Sequence, residues 1–131
     1  MAVRLYRDAA GTDEITSTNP DRVRKAVPVG QDLVDEQVLY LKSDDPTLTY
    51  EGVSIWAEGD EDDADQHGEV AVFYALDKGG SPGEYKPVLD VPDGDFVEAV
   101  PIWRKVVAPG VQAAFRRVNI VPKWTQNEYV K

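Results

Sequence analysis

The chain has 131 residues, no cysteine, 42% hydrophobic residues and a formal net charge of −10. A length of this order builds one domain with its own core, and the missing cysteines exclude disulfides, thiolate metal sites and cysteine nucleophiles. The charge is segregated, two Lys/Arg against sixteen Asp/Glu over residues 43–100 but six against one over 101–131, and the acidic body argues against nucleic-acid binding, which needs a basic face.

The start, Met1-Ala2-Val3-Arg4-Leu5-Tyr6-Arg7-Asp8, puts charges where a signal peptide needs an apolar stretch. The longest apolar run, Val70–Leu76, is far shorter than the roughly 20 residues that cross a bilayer. Neither export by its own signal nor membrane insertion is expected. Val3–Tyr6 and Glu14–Thr16 read as short strands. Ser17–Gly30 is polar, holds Pro20 and Pro28, and reads as a long loop of a kind often ordered by a partner. Gln31–Gln37 is the one stretch that reads as a turn or two of helix. Residues 1–37 are thus short strands and a long loop ahead of the body at 38–121.

From Val38 onward, apolar and β-branched runs are cut by turn residues at short intervals, the pattern of an all-β, mainly antiparallel sandwich or jelly-roll-like domain. Strands are expected near Val38–Lys42, Leu48–Glu51, Val53–Ala57, Glu69–Leu76, Tyr85–Val91, Phe96–Val100, Ile102–Val107 and Gln112–Val121. Asp45-Pro46, residues 79–83, Pro92-Asp93-Gly94 and Pro109-Gly110 supply turn chemistry. Pro109-Gly110 reads as a hairpin joining two paired strands. Trp103 is expected in the core, where removing a buried aromatic costs ~3–5 kcal/mol. Residues 122–131 read as an extended tail whose Trp124 and Tyr129 dock somewhere, in cis or on a neighbouring copy.

Few residues suggest chemistry. Glu58, Asp60 and Asp62, with Glu69 at the twelfth position, follow the spacing of a calcium loop. The sixth position is Asp63 where the sharp turn needs Gly, and strands are expected on both sides. A solvated hairpin tip is the plainer reading, so no metal and no cofactor are expected. His67 is the only histidine and lacks a nucleophile in a suitable setting. No catalytic residues are assigned.

Alternation in Val53–Glu58 places Trp56 on the polar face with Ser54 and Glu58. It is an interface anchor, a sugar-stacking platform, or a residue covered by the N-terminal segment. Val70–Leu76 is apolar on both faces and needs cover on both, from the long loop or from another subunit. The basic residues Arg104, Lys105, Arg116 and Arg117 are candidates to meet an acidic surface, either on a neighbouring copy or folded back within the chain.

The segment 101–120, with Trp103-Arg104-Lys105-Val106, Pro109-Gly110 and Phe115-Arg116-Arg117-Val118, resembles the closing hairpin of small β-sandwich proteins of tailed-phage particles. Residues 50–55 (Tyr-Glu-Gly-Val-Ser-Ile) and 72–75 (Val-Phe-Tyr-Ala) resemble other strands of those proteins. The resemblance covers roughly residues 38–120; the acidic run at 58–69 and the basic one at 22–25 depart from it. It implies a non-enzymatic virion component, a capsid decoration protein or a tail or baseplate accessory. Such a component would be made in the host cytoplasm, bind other virion proteins and form a homo-oligomer in the assembled particle, without nucleic-acid or membrane partners. The alternative is a carbohydrate- or receptor-binding sandwich that uses Trp56.

Overall fold

The computed structural model describes residues 3–16, 18–26, 28, 30–61, 70–108 and 115–131, with the backbone alone at 24–25, 58–61 and 115–119. The described chain forms nine strands: β1 (Arg4–Tyr6), β2 (Asp21–Ala26), β3 (Leu33–Lys42), β4 (Leu48–Glu61), β5 (Ala71–Lys78), β6 (Ser81–Pro82), β7 (Leu89–Val91), β8 (Val100–Ala108) and β9 (Phe115–Val130). They make two antiparallel sheets, one of five strands in the order β1-β3-β8-β5-β6 and one of four in the order β2-β9-β4-β7. The expected all-β sandwich is what forms.

Alternation drives each sheet. In β8, Ile102, Arg104, Val106 and Ala108 are buried while Trp103, Lys105 and Val107 lie on the other side. In β3, Leu33, Leu39 and Leu41 face inward. Across the interior lie Tyr50, Val53 and Ile55 of β4, Leu89 and Val91 of β7, Val23 of β2 and Ile120 of β9. Phe96 meets Tyr50 edge to face, ring centroids 6.1 Å apart.

Several expectations are corrected. Gln31–Gln37 is not helical, because Leu33 begins β3 and the pairing with β8 runs unbroken to Leu41. The loop at 17–30 contains β2, paired with β9 from Asp21 to Ala26. Residues 7–16 and 18–20 ahead of it form a hydrogen-bonded strap. Arg7 pairs with Asp13 at 3.0 Å and also donates to the Pro20 carbonyl, and Asn19 Nδ2 donates to Asp13 at 2.7 Å. The expected strands at 48–51 and 53–57 are one strand with a bulge at Gly52-Val53. Residues 122–131 are not a tail, since β9 runs to Val130 and pairs with β4 over that stretch. Pro109 and Gly110 lie outside the described residues, yet their flanking strands settle the hairpin: β8 belongs to the five-stranded sheet and β9 to the other, so they do not pair.

Candidate binding surfaces

Trp103 is half-buried on the outer face of the five-stranded sheet, not in the core. Its cross-strand partners are Val38 on β3 and Ala75 on β5. The indole N–H donates to Asp77 Oδ1 at 2.9 Å, so the ring lies over Ala75, which is fully buried. The next rows of this face run Glu36–Lys105–Phe73 and Val34–Val107–Ala71. Val34 is 43% exposed. At the other end, Tyr6 pairs with Tyr40, and Tyr40 with Pro101.

Tyr85 lies across this surface. Its segment is held to the β5 edge by reciprocal backbone bonds between Tyr74 and Lys86, each 2.8–2.9 Å. From there the phenol reaches two strands over and donates to Glu36 Oε2 at 2.6 Å, with Lys105 Nζ 5.4 Å from the ring centroid. Burial, followed by the Glu36 bond and charge, raises the Tyr85 pKa well above that of a free phenol. The expected two-sided apolar character of β5 holds: Val72 and Tyr74 are buried in the core, while Phe73 and Ala75 lie on the outer face opposite Lys105 and Trp103.

The outer face of the four-stranded sheet differs. Ser54 Oγ donates to Asp90 at 2.6 Å, Thr125 Oγ1 donates to the Gly52 carbonyl at 3.1 Å, and Lys123 and Asn127 are exposed. Trp56 stands here, half-buried and opposite Lys123, on the side that alternation assigns it. Tyr129 is 50% exposed on the same strand.

Arg104 is withdrawn from the surface candidates, because its side chain is fully buried between the sheets. It is held there by carboxylates. Nε and Nη2 make a bidentate pair with Asp21 at 3.0 and 2.9 Å, Nη1 reaches Asp35 at 2.8 Å, and Nη2 reaches Gln37 at 3.0 Å. Burial would lower the guanidinium pKa; the Asp21 charge and the bonds to both aspartates outweigh it and leave the pKa above the usual arginine value. The pair ties β8 to β2 across the sandwich. Sequence reasoning missed it because Asp21 falls in the stretch read as a loop, although Arg104 shares its alternation with Ile102 and Val106.

Arg116 and Arg117 occupy β9 opposite Lys25 and Arg24 of β2. On its other side β9 meets the acidic part of β4, with Glu58 opposite Val121 and Asp60 opposite Asn119. The basic end and the acidic run therefore share one sheet, an arrangement that places the two charge segments side by side within the chain. Trp124 docks in cis: it packs partly buried against the core, and its indole N–H donates to the Val3 carbonyl at 3.1 Å. Asp62, His67 and Glu69 lie outside the described residues. Among the described residues no cluster of three metal-ligating side chains occurs, and no helix is long and apolar enough to cross a membrane.

No protein-family description, no curated protein and no solved structure matches this chain.

Proposed function

We propose that this protein is a non-catalytic structural component of a tailed-virus particle, binding neighbouring virion subunits through the outer face of its five-stranded sheet. Capsid decoration is the favoured role, and a tail or baseplate accessory the next. The observation that carries this reading is the contrast between the two outer faces. An antiparallel sheet ordinarily leaves one side to water, and the four-stranded sheet does so with Ser54, Asp90, Lys123, Thr125 and Asn127 interspersed among Trp56, Val121 and Tyr129. The five-stranded sheet instead presents Val34, Val38, Phe73, Trp103 and Val107 in adjoining rows, an apolar centre with Arg4, Lys42 and Asp77 toward its rim. That is the layout of a protein interface. Glu36 and Lys105 within it are both engaged with Tyr85. The particle setting rests on the resemblance of residues 50–55, 72–75 and 103–106. The Pro109-Gly110 part no longer supports it, since β8 and β9 are unpaired.

The test uses particles purified without this protein, to which the wild type or a Val34→Asp, Phe73→Ser double variant is added. Wild type is expected to bind saturably, and the double variant at least about tenfold more weakly with its melting temperature within about 5 °C of wild type. Absence of binding by the wild type, or equal uptake of the folded variant, overturns the reading. One observation favours a second reading: Trp56 offers an aromatic face beside the Ser54–Asp90 pair and Lys123, the grouping that stacks and hydrogen-bonds a sugar ring. A glycan array with wild type and Trp56→Ala separates the two.

A further inference from the structure

A cavity of about 420 Å3 opens where the N-terminal strap enters β2 beside β9. That volume falls within the about 300–1,000 Å3 of small-molecule sites. Its apolar walls are Ile15 and Pro20 of the strap and Ile120, Pro122 and Trp124 of β9. Among the described residues two polar side chains join them, Thr16 and Arg22. An apolar hollow with a few convergent polar groups is the usual form of a ligand site.

The walls are fixed from behind. Trp124 donates its indole N–H to the Val3 carbonyl at 3.1 Å, which orients the ring. The Ile15 N–H bonds to the Leu5 carbonyl at 2.9 Å, and Thr16 and Asn19 exchange backbone bonds of 3.1 and 3.2 Å. Arg7 donates to the Pro20 carbonyl. A hollow held in this way loses little freedom when it is filled.

Charge decides what fills it. The acids along the strap and at its junction with β2 are occupied, Asp13 by Arg7, Glu14 by Arg4 and Asp21 by Arg104. Arg22 is exposed, and its side chain makes no ion pair among the described residues. The row across the sheet runs Arg22–Asn119–Asp60, so the acidic part of β4 lies two strands off, roughly 10 Å away. A guanidinium in this position suits a planar carboxylate, which it pairs with bidentately.

We infer that this cavity binds a small aromatic carboxylate, its ring against Trp124 and the two prolines and its carboxylate on Arg22. Rigid planes make the lining, so a flat ring gains contact there without the ordering cost of a flexible chain. A single charge matches the single arginine. The cavity is separate from the apolar face proposed above, and neither reading depends on the other.

The test titrates the isotope-labelled full chain with benzoate, naphthoate and indoleacetate, and with naphthylmethanol as the uncharged counterpart of naphthoate. At least one carboxylate is expected to bind saturably, with a Kd of about 1 mM or tighter, and to shift the indole N–H resonance of Trp124 while those of Trp56 and Trp103 stay in place. The alcohol is expected to bind about tenfold more weakly than naphthoate, and Arg22→Gln to weaken the carboxylate about tenfold at unchanged melting temperature. Failure of all three carboxylates to saturate, equal binding of the alcohol, indifference to Arg22→Gln, or shifts centred on Trp56 or Trp103 each overturns the inference.

Discussion

Inside the sandwich, two neighbouring side chains show how differently polar groups can be accommodated. Arg104 is enclosed, yet four of its N–H···O contacts are made and two aspartates balance its charge. Stripping one partner from such a pair leaves a bare buried charge, typically at a cost of about 3–5 kcal/mol. Tyr74, its cross-strand neighbour on β5, is also fully buried, but its hydroxyl has no hydrogen-bond partner among the described residues. Burial raises the Tyr74 pKa well above the usual phenol value, and the Asp21 charge adds to that. The ring fills the core while the oxygen is desolvated without return, a penalty of about 1–3 kcal/mol. Tyr74→Phe keeps the ring and removes the orphan, so it is expected to leave stability unchanged or raise it by up to about 2 kcal/mol. Urea unfolding measures this directly; a loss above about 1 kcal/mol would mean that the hydroxyl is bonded in solution.

Within elements, the long β4 is instructive. Two expected strands are one, because Gly52 and Val53 together face Gln126 between the pairs Glu51–Asn127 and Ser54–Thr125. Without that extra residue, parity would turn either Tyr50 or Val53 and Ile55 out of the core. Gly52 adopts φ 63°, a left-handed conformation, and a Cβ there would stand 2.8 Å from Asn127 Nδ2. Gly52→Ala is therefore expected to cost about 1–2 kcal/mol from the backbone alone, plus the contact. Adding Asn127→Ala relieves the contact but not the backbone strain, so the double variant recovers only part of the loss in thermal unfolding. Full recovery would mean that the bulge tolerates L residues. The break after Glu51 was legible as a glycine between two alternating runs; its meaning as a bulge was not, because glycine serves turns and bulges equally.

Over the whole molecule, the sequence disclosed the sheets through their inward residues and concealed the strands with few of them. β5 is a continuous apolar run and β8 alternates clearly, so both were legible. β2 buries only Asp21 and Val23 on its described inner side, and its basic residues between Pro20 and Pro28 looked like loop. The far half of β9 turns Pro122, Trp124 and Gln126 inward, a sequence with no hydrophobic period. The outer face of the five-stranded sheet was half legible: β5 demanded cover on both sides, but Val34 joined it only once the 31–37 segment proved extended. The two readings of residues 122–131 differ in consequence. A tail is dispensable, whereas here Leu48–Ala57 pairs with residues 122–130, Trp124 packs on the core, and Gln126 accepts the Val3 N–H at 3.1 Å. Removing these residues strips β4 of its partner along Leu48–Ala57 and uncovers the core beside Trp124, a loss on the scale of the about 5–15 kcal/mol that holds a domain together. A chain ending at Val121 is expected to show no cooperative thermal transition by circular dichroism and to be rapidly proteolysed. If it melts cooperatively within about 5 °C of the full chain, residues 122–130 do not hold β4 as described.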